Sequence, residues 1–243
     1  MGSEMCIRDR FGSMGSGKTT SLAAMLNEIN KSRKAHILTI EDPIEFIYEH
    51  DKCIVNQREV GFDSLDFHST LKASLRMDPD ICLLGELRDE ETIRTALHIA
   101  ETGHLTFGTL HTNNAFQTID RLTGVFTSGE RGIIQSQLSQ VLQGIISQRL
   151  LPSVEQNRVA AVEVLLFPPS VRNLVKEGKQ NQIYSIMQTQ SALGMITMNH
   201  SLVKLLSKGL ISEEIALSMS YEVSELKHMI EKLKKNRSFK KAM

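Results

Sequence analysis

Between His36 and Phe167 the chain alternates short apolar runs with segments whose apolar residues recur every three or four positions. The runs read as buried strands and the spaced segments as amphipathic helices, the pattern of an α/β domain around a largely parallel sheet. Strands are expected at His36 to Ile40, Cys53 to Val60, Ile81 to Leu84, Leu105 to Leu110 and Val159 to Phe167. Leu22, Met25, Leu26 and Ile29 stripe a first helix, and Phe67, Leu71 and Leu75 a second that Asp78-Pro79 stops. Asp89 is placed to cap a helix running through Ile93, Leu97 and Ala100 to Gly103. Ile119, Leu122 and Phe126 mark another helix, and Ile134, Leu138, Val141, Leu142 and Ile145 a long amphipathic one.

Pro168-Pro169 is the only double proline and reads as a domain boundary. Beyond it the periodicity is wholly helical. Helices are expected over Val171 to Glu177 and Leu202 to Lys208, then a short one capped by Ser212 with Glu213 and Glu214 in its first turn. Leu226 to Leu233 adds a last helical stripe.

Composition narrows the class. In 243 residues, 41% hydrophobic and 23% charged side chains suit a globular chain rather than a disordered one. Lys plus Arg and Asp plus Glu both number 28, so overall charge points to neither nucleic acid nor membrane. The tail from Lys232 to Met243 holds six basic residues and no acid, but its single aromatic, Phe239, offers no platform for stacking bases; no nucleic-acid partner is expected. Three cysteines without a Cys-x-x-Cys pair exclude a thiolate zinc site and a disulfide framework, and fit a reducing cytosol. No stretch reads as a transmembrane segment: Gly132 to Gln148 lacks charges but carries five Gln and three Ser. Arg8 and Arg10 stand where a signal peptide needs apolar residues. Met1 to Arg10 matches the translation of a sequencing adapter and is read as a non-native leader. The strand that would feed the next segment is then expected to be missing.

That next segment carries the clearest chemistry. Gly12, Ser13, Met14, Gly15, Ser16, Gly17, Lys18 and Thr19 satisfy G-x-x-x-x-G-K-[ST] in full, and Thr20 follows. Glycines let backbone N–H groups wrap phosphate oxygens in conformations that a Cβ obstructs. Lys18 would reach the β- and γ-phosphates of ATP, and the Thr19 hydroxyl would ligate Mg²⁺. The helix behind them turns the positive end of its dipole toward the anion. The plain alternative, a Gly/Ser linker, does not account for the amphipathic helix directly downstream.

Two further segments set carboxylates at strand ends. Ile81 to Leu84 leads through Gly85 to Glu86, where Gly85 stands in place of the usual Asp and leaves Glu86 as the candidate general base. Thr39-Ile40 leads to Glu41 and Asp42, and the tips of parallel strands are where α/β ligand sites form. His104 and His111 bracket the strand between them. Seven residues apart, they face opposite sides, so a shared metal is not expected; one could sense the γ-phosphate or the catalytic carboxylate while the other contacts a neighbouring element.

Gly12 to Thr19, His36 to Phe46, Leu83 to Asp89 and Glu101 to Asn113 resemble, in order and spacing, the Walker A, Asp, atypical Walker B and His boxes of the type II/IV secretion ATPase superfamily. Within it the chain resembles the PilT-like type IV pilus retraction ATPases. There is no four-cysteine insertion, and Ser170 to Glu177 is similar to the retraction proteins' Ala-Ile-Arg-Asn-Leu-Ile-Arg-Glu motif. The resemblance implies a RecA-like P-loop core over residues 11–167, a C-terminal helical domain over 168–221, and a helix with basic tail over 222–243. It implies ATP and Mg²⁺ as cofactors, with Lys18 and Thr19 on phosphate and metal and Glu86 as catalytic base. Glu41 and Asp42 would support metal and water, and His104 and His111 would couple site to interface.

The resemblance also implies a homo-hexameric cytoplasmic motor for twitching motility, docked on a platform protein at the inner-membrane base of the pilus. Family members carry an N-terminal domain that closes over the nucleotide and supplies arginines, and this chain is expected to lack it. Two other readings stay open: a catalytically silent nucleotide-binding or ring-interface module, and a secretion or pilus-extension ATPase.

Overall fold

The computed structural model describes residues 5–10, 17–63, 66–74, 76–112 and 114–241, with 5–10, 74 and 236–241 described as backbone. The strands are β1 (Met5–Arg10), β2 (His36–Glu41), β3 (Ile54–Glu59), β4 (Ile81–Leu84), β5 (Leu105–Leu110), β6 (Leu142–Pro152) and β7 (Arg158–Leu166). They form one sheet in the order β3-β2-β4-β5-β1-β6-β7. Every neighbouring pair is parallel except β6 and β7, which are antiparallel. Because β1 to β6 run the same way, the carboxyl ends of β1, β2, β4 and β5 share one edge of the sheet.

Helices cover both faces, as a parallel sheet requires. The sheet-facing residues of α1 (Lys18–Ser32), Leu22 and Leu26, pack with Ile37, Val55, Ile81, Leu83 and Phe107. On the opposite face lie α2 (Phe67–Ser74), α3 (Glu90–Glu101), α4 (Ala115–Gly124) and α5 (Arg131–Val141), whose apolar stripes meet Cys82, Leu84 and Leu110. β4 is buried at all four positions and sends alternate side chains to the two cores.

Four features of the observed fold differ from the sequence expectations or lie outside them. The long helix expected from Ile134 to Ile145 ends at Val141, and Leu142 and Ile145 belong to β6. β6 lies between β1 and β7, with both of its faces largely buried, so its apolar positions do not follow a period of two. The missing feeding strand is also corrected: Met5–Arg10 fills the slot between β5 and β6, with Met5 opposite Thr106 and Asp9 opposite Leu110. Ladder bonds come from backbone groups, so a hexapeptide with three charged residues can occupy that slot.

The third difference concerns the proline boundary. Pro168 and Pro169 end the last strand and start α6 (Pro169–Lys176), but the core does not divide there. Val171 and Val175 of α6, and Ile183 and Met187 of α7 (Ile183–Thr189), belong to the main core. A separate cluster forms only where α8 (Met198–Ser207), α9 (Glu213–Met219) and α10 (Val223–Lys241) pack against Leu151 and Ala161 of the β6–β7 hairpin. The fourth is α7 itself, which no sequence expectation covered. Among the described residues no helix is long and apolar enough to cross a membrane.

Arg172 locks the α5–β6 junction. Its Nη1 donates to Ser139 O at 2.6 Å and Gln140 O at 2.7 Å, and its Nη2 to Gln143 Oε1 at 3.2 Å. These bonds satisfy carbonyls at the end of α5 where the chain turns into a strand. Arg172→Ala is expected to lower unfolding free energy by about 2 kcal/mol, seen as a lower urea midpoint with an unchanged m-value.

Candidate functional site

A cleft of ≈ 850 Å³ opens at the shared edge of strand ends, lined by Gly17, Lys18, Thr19 and Thr20 from the start of α1. Glu41 and Asp42 enter it from the end of β2, Gly85 and Glu86 from the end of β4, and Thr109 and His111 from the end of β5. Gly12, Ser13, Met14, Gly15 and Ser16 lie outside the described residues. The described part of the phosphate loop therefore starts at Gly17, whose φ of +78° is in the left-handed region that favours glycine. A Cβ there would stand 2.9 Å from Gln148 Nε2, and Gln148 Oε1 accepts a 3.0 Å bond from Ser21 Oγ. β6 thus braces the turn into α1 from below.

Lys18 is buried at the first position of α1, and its Nζ lies 3.5 Å from Leu110 O at the end of β5. The residue after Leu110 is His111, whose Nε2 is 3.1 Å from Glu86 Oε1. The other oxygen of Glu86 faces Arg88 Nε at 2.6 Å. Held from both sides and 22% exposed, the Glu86 carboxylate keeps one orientation at the rim of the cleft while water can still reach it. Thr109 Oγ1 donates to Gly85 O and Leu87 N to Thr109 O at 2.9 Å, fastening the end of β5 to the segment that carries Glu86.

Gly85 has a reason of its own. Its N–H donates to Ile40 O at 2.8 Å, and an added Cβ would stand 3.0 Å from Ile40 O and 3.2 Å from Glu41 Cα. Both are backbone atoms and cannot rotate away, so the strand end must lack a side chain and the acid falls to the next residue. Gly85→Ala is expected to cost about 1–3 kcal/mol of stability in a denaturant titration.

Glu41 is buried at the end of β2. Its Oε1 accepts from Thr39 Oγ1 at 2.7 Å and Gln57 Nε2 at 3.3 Å. Burial pushes its carboxyl above the ordinary value, the two hydrogen bonds pull the other way, and Glu45 and Glu59 add to the rise. Asp42 is exposed at the mouth. The hydroxyl of Thr19 and the carboxylates of Glu41, Asp42 and Glu86 are hard oxygen donors in one cleft, which suits Mg²⁺. Among the described residues no three His, Cys, Asp or Glu side chains group closely enough to cage a metal themselves.

His104 is not brought to the cleft. It precedes β5, at the opposite edge of the sheet and about 20 Å from His111 by strand rise. Its Nδ1 lies 3.0 Å from Ile99 O and 3.0 Å from Thr102 Oγ1, at the C-terminal end of α3. Of the two histidines, His111 thus meets the candidate catalytic carboxylate and His104 a neighbouring element, and a catalytic part for His104 in the cleft is corrected. Sequence reasoning missed Arg88, Thr109 and Gln148. Arg88 stood two residues beyond Glu86 in the same box, whereas Gln148 was hidden by the misread end of the long helix.

Six parallel strands, a lysine at the mouth of the first helix and acids at the neighbouring strand ends define an α/β protein of the RecA-like P-loop class. A family model described as "Type II/IV secretion system protein" matches residues 11–209. The chain belongs to that family.

Over 205 residues it is 54% identical to the type IV pilus retraction ATPase PilT of Pseudomonas aeruginosa, covering 84% of this chain and 60% of that protein. It is 52% identical over 206 residues to a twitching motility protein of Neisseria gonorrhoeae, covering 84% and 55%. A crystal structure of the pilus retraction motor PilT with bound ADP superposes with a TM-score of 0.85 at 48% identity, covering 91% of this chain and 63% of that one. The Legionella pneumophila ATPase DotB gives 0.79 at 32% identity, covering 89% and 60%. The chain thus spans less than two thirds of the length of these relatives.

Proposed function

We propose that this chain is the core of a cytoplasmic ATP-hydrolysing motor that powers type IV pilus retraction. The observation that carries the reading is the convergence of Lys18, Thr19, Glu41, Asp42, Glu86 and His111, from four separate stretches of sequence, on one cleft at the strand ends. Its support in the comparisons is the 54% and 52% identity to a retraction ATPase and a twitching motility protein, against 41% to a type II secretion protein E over 59% of the chain.

In this reading the amides of residues 12–19 and the Lys18 ammonium hold the β- and γ-phosphates of ATP. The Thr19 hydroxyl would hold Mg²⁺, and the ion would supply neutralisation of phosphate charge. Glu86 accepts a proton from the attacking water, and Arg88 and His111 fix its carboxylate in place for that transfer. Glu41 and Asp42 order water around the metal. The motor works as a homo-hexamer on an inner-membrane platform protein, where hydrolysis moves one part of each subunit against another.

A deletion strain tests the direction of the motor. Hyperpiliated cells without twitching fit retraction, and cells without pili fit extension and overturn the proposal.

A further inference from the structure

Among the described residues the buried charged side chains are Lys18, Glu41, Arg149 and Glu163. Lys18 and Glu41 belong to the cleft. Glu163, 1% exposed on β7, does not, and nothing in the chemistry above uses it. A carboxylate is costly to bury without partners, and Glu163 has two of an unusual kind. Its Oε1 accepts from Ala115 N at 2.8 Å and its Oε2 from Met198 N at 3.2 Å. Each donor is the first N–H of a helix, α4 in one case and α8 in the other. One carboxylate therefore meets the positive ends of two helix dipoles.

The two helices already have caps. The side chain of Asn114 accepts from Gln117 N at the start of α4, and that of Thr197 accepts from His200 N at the start of α8. Glu163 adds a link between them. The helices belong to different cores: Ala115, Ile119 and Leu122 of α4 lie in the main core, and Met198 and Leu202 of α8 in the C-terminal cluster.

The chain leading into α4 is the cleft itself. Leu110 lies against Lys18, His111 lies against Glu86, and Thr112 Oγ1 is 2.8 Å from Thr118 Oγ1, which donates to Asn114 O at 3.0 Å. A shift of the Leu110–His111 segment must carry the start of α4 with it. The start of α8 is held to the same strand by the paired bonds of Val164 and Ile196, 2.8 and 3.0 Å long. Arg149, diagonal to Glu163 across β6 and β7, reaches the far end of α9 through a 2.6 Å bond to Met219 O and lies over the Tyr221 ring.

We propose that Glu163 is a positioning residue that couples the nucleotide cleft to the C-terminal helices by gripping the first amides of α4 and α8 together. The inference rests on the cleft being a nucleotide site. When nucleotide draws on Lys18 and Glu86, the end of β5 and the start of α4 respond, and the shared carboxylate passes the change to the start of α8.

Hydrogen–deuterium exchange on the full chain, with and without Mg²⁺ and ADP, tests this. Nucleotide is expected to slow the amides of residues 18–21 and, by about fivefold or more, those of residues 198–201. Glu163→Gln keeps the side chain's size but has one oxygen for two donors. It is expected to retain protection at 18–21 and lose the response at 198–201, a nucleotide-dependent difference that a merely structural role would leave in place. Protection at 18–21 with no change at 198–201 in the wild-type chain overturns the proposal, as does a Gln variant with a full response at 198–201. If that variant does not fold, the wild-type comparison decides alone. No protection at 18–21 is a different failure: it removes the nucleotide reading itself, and this inference with it.

Discussion

Glu86→Gln should slow phosphate release by about 10²–10⁴-fold while nucleotide still binds. Gln has nearly the same shape and can still accept from Arg88 or His111, so the strand end stays folded, but it cannot take a proton from water. The assay is malachite-green detection of phosphate in a chain extended to the length of its relatives, with ATP binding followed in parallel by thermal shift. Activity that survives the substitution would remove Glu86 from the role of base. Loss of both binding and activity would mean that Glu86 serves the nucleotide's ground state instead.

Lys18→Ala has the second large effect, and on binding rather than turnover. Its ammonium is buried at the cleft floor, so a phosphate contact there is little screened by solvent. Losing a charge-assisted contact of about 2–3 kcal/mol weakens Kd for Mg–ATP by roughly 30- to 150-fold. At a ligand concentration near 100 times the wild-type Kd, ligand stabilisation should fall from about 2.7 kcal/mol to below about 1 kcal/mol. A thermal-shift titration reads this directly. An unchanged shift would mean that the nucleotide, if it binds, binds elsewhere.

Much of the site is legible in the sequence because its residues cluster there at the ends of apolar runs. Lys18 follows its glycines, Glu41 and Asp42 follow one such run, and Glu86 follows another. Parallel strands put all such ends on one edge. The same rule could have excluded His104, which stands at the entrance of β5 while His111 stands at its exit. β6 is less legible. A strand between two others is buried on both faces, and Leu142 and Ile145 continue the three-and-four spacing of α5 into it, so helix and strand share one pattern there. The grip of Glu163 on two helix starts cannot be read from the sequence at all. Its partners are backbone amides 48 and 35 residues away, and backbone amides leave no trace in side-chain identity.

The joint placement of phosphate grip and base is tested most directly by a crystal structure of the chain with Mg²⁺ and a non-hydrolysable ATP analogue. The β- and γ-phosphates should lie against the amides of residues 12–19 and the Lys18 ammonium, with a water between the γ-phosphate and the Glu86 carboxylate. A triphosphate bound away from Lys18, or a γ-phosphate turned from Glu86 with another side chain nearest its attacking water, would contradict the account.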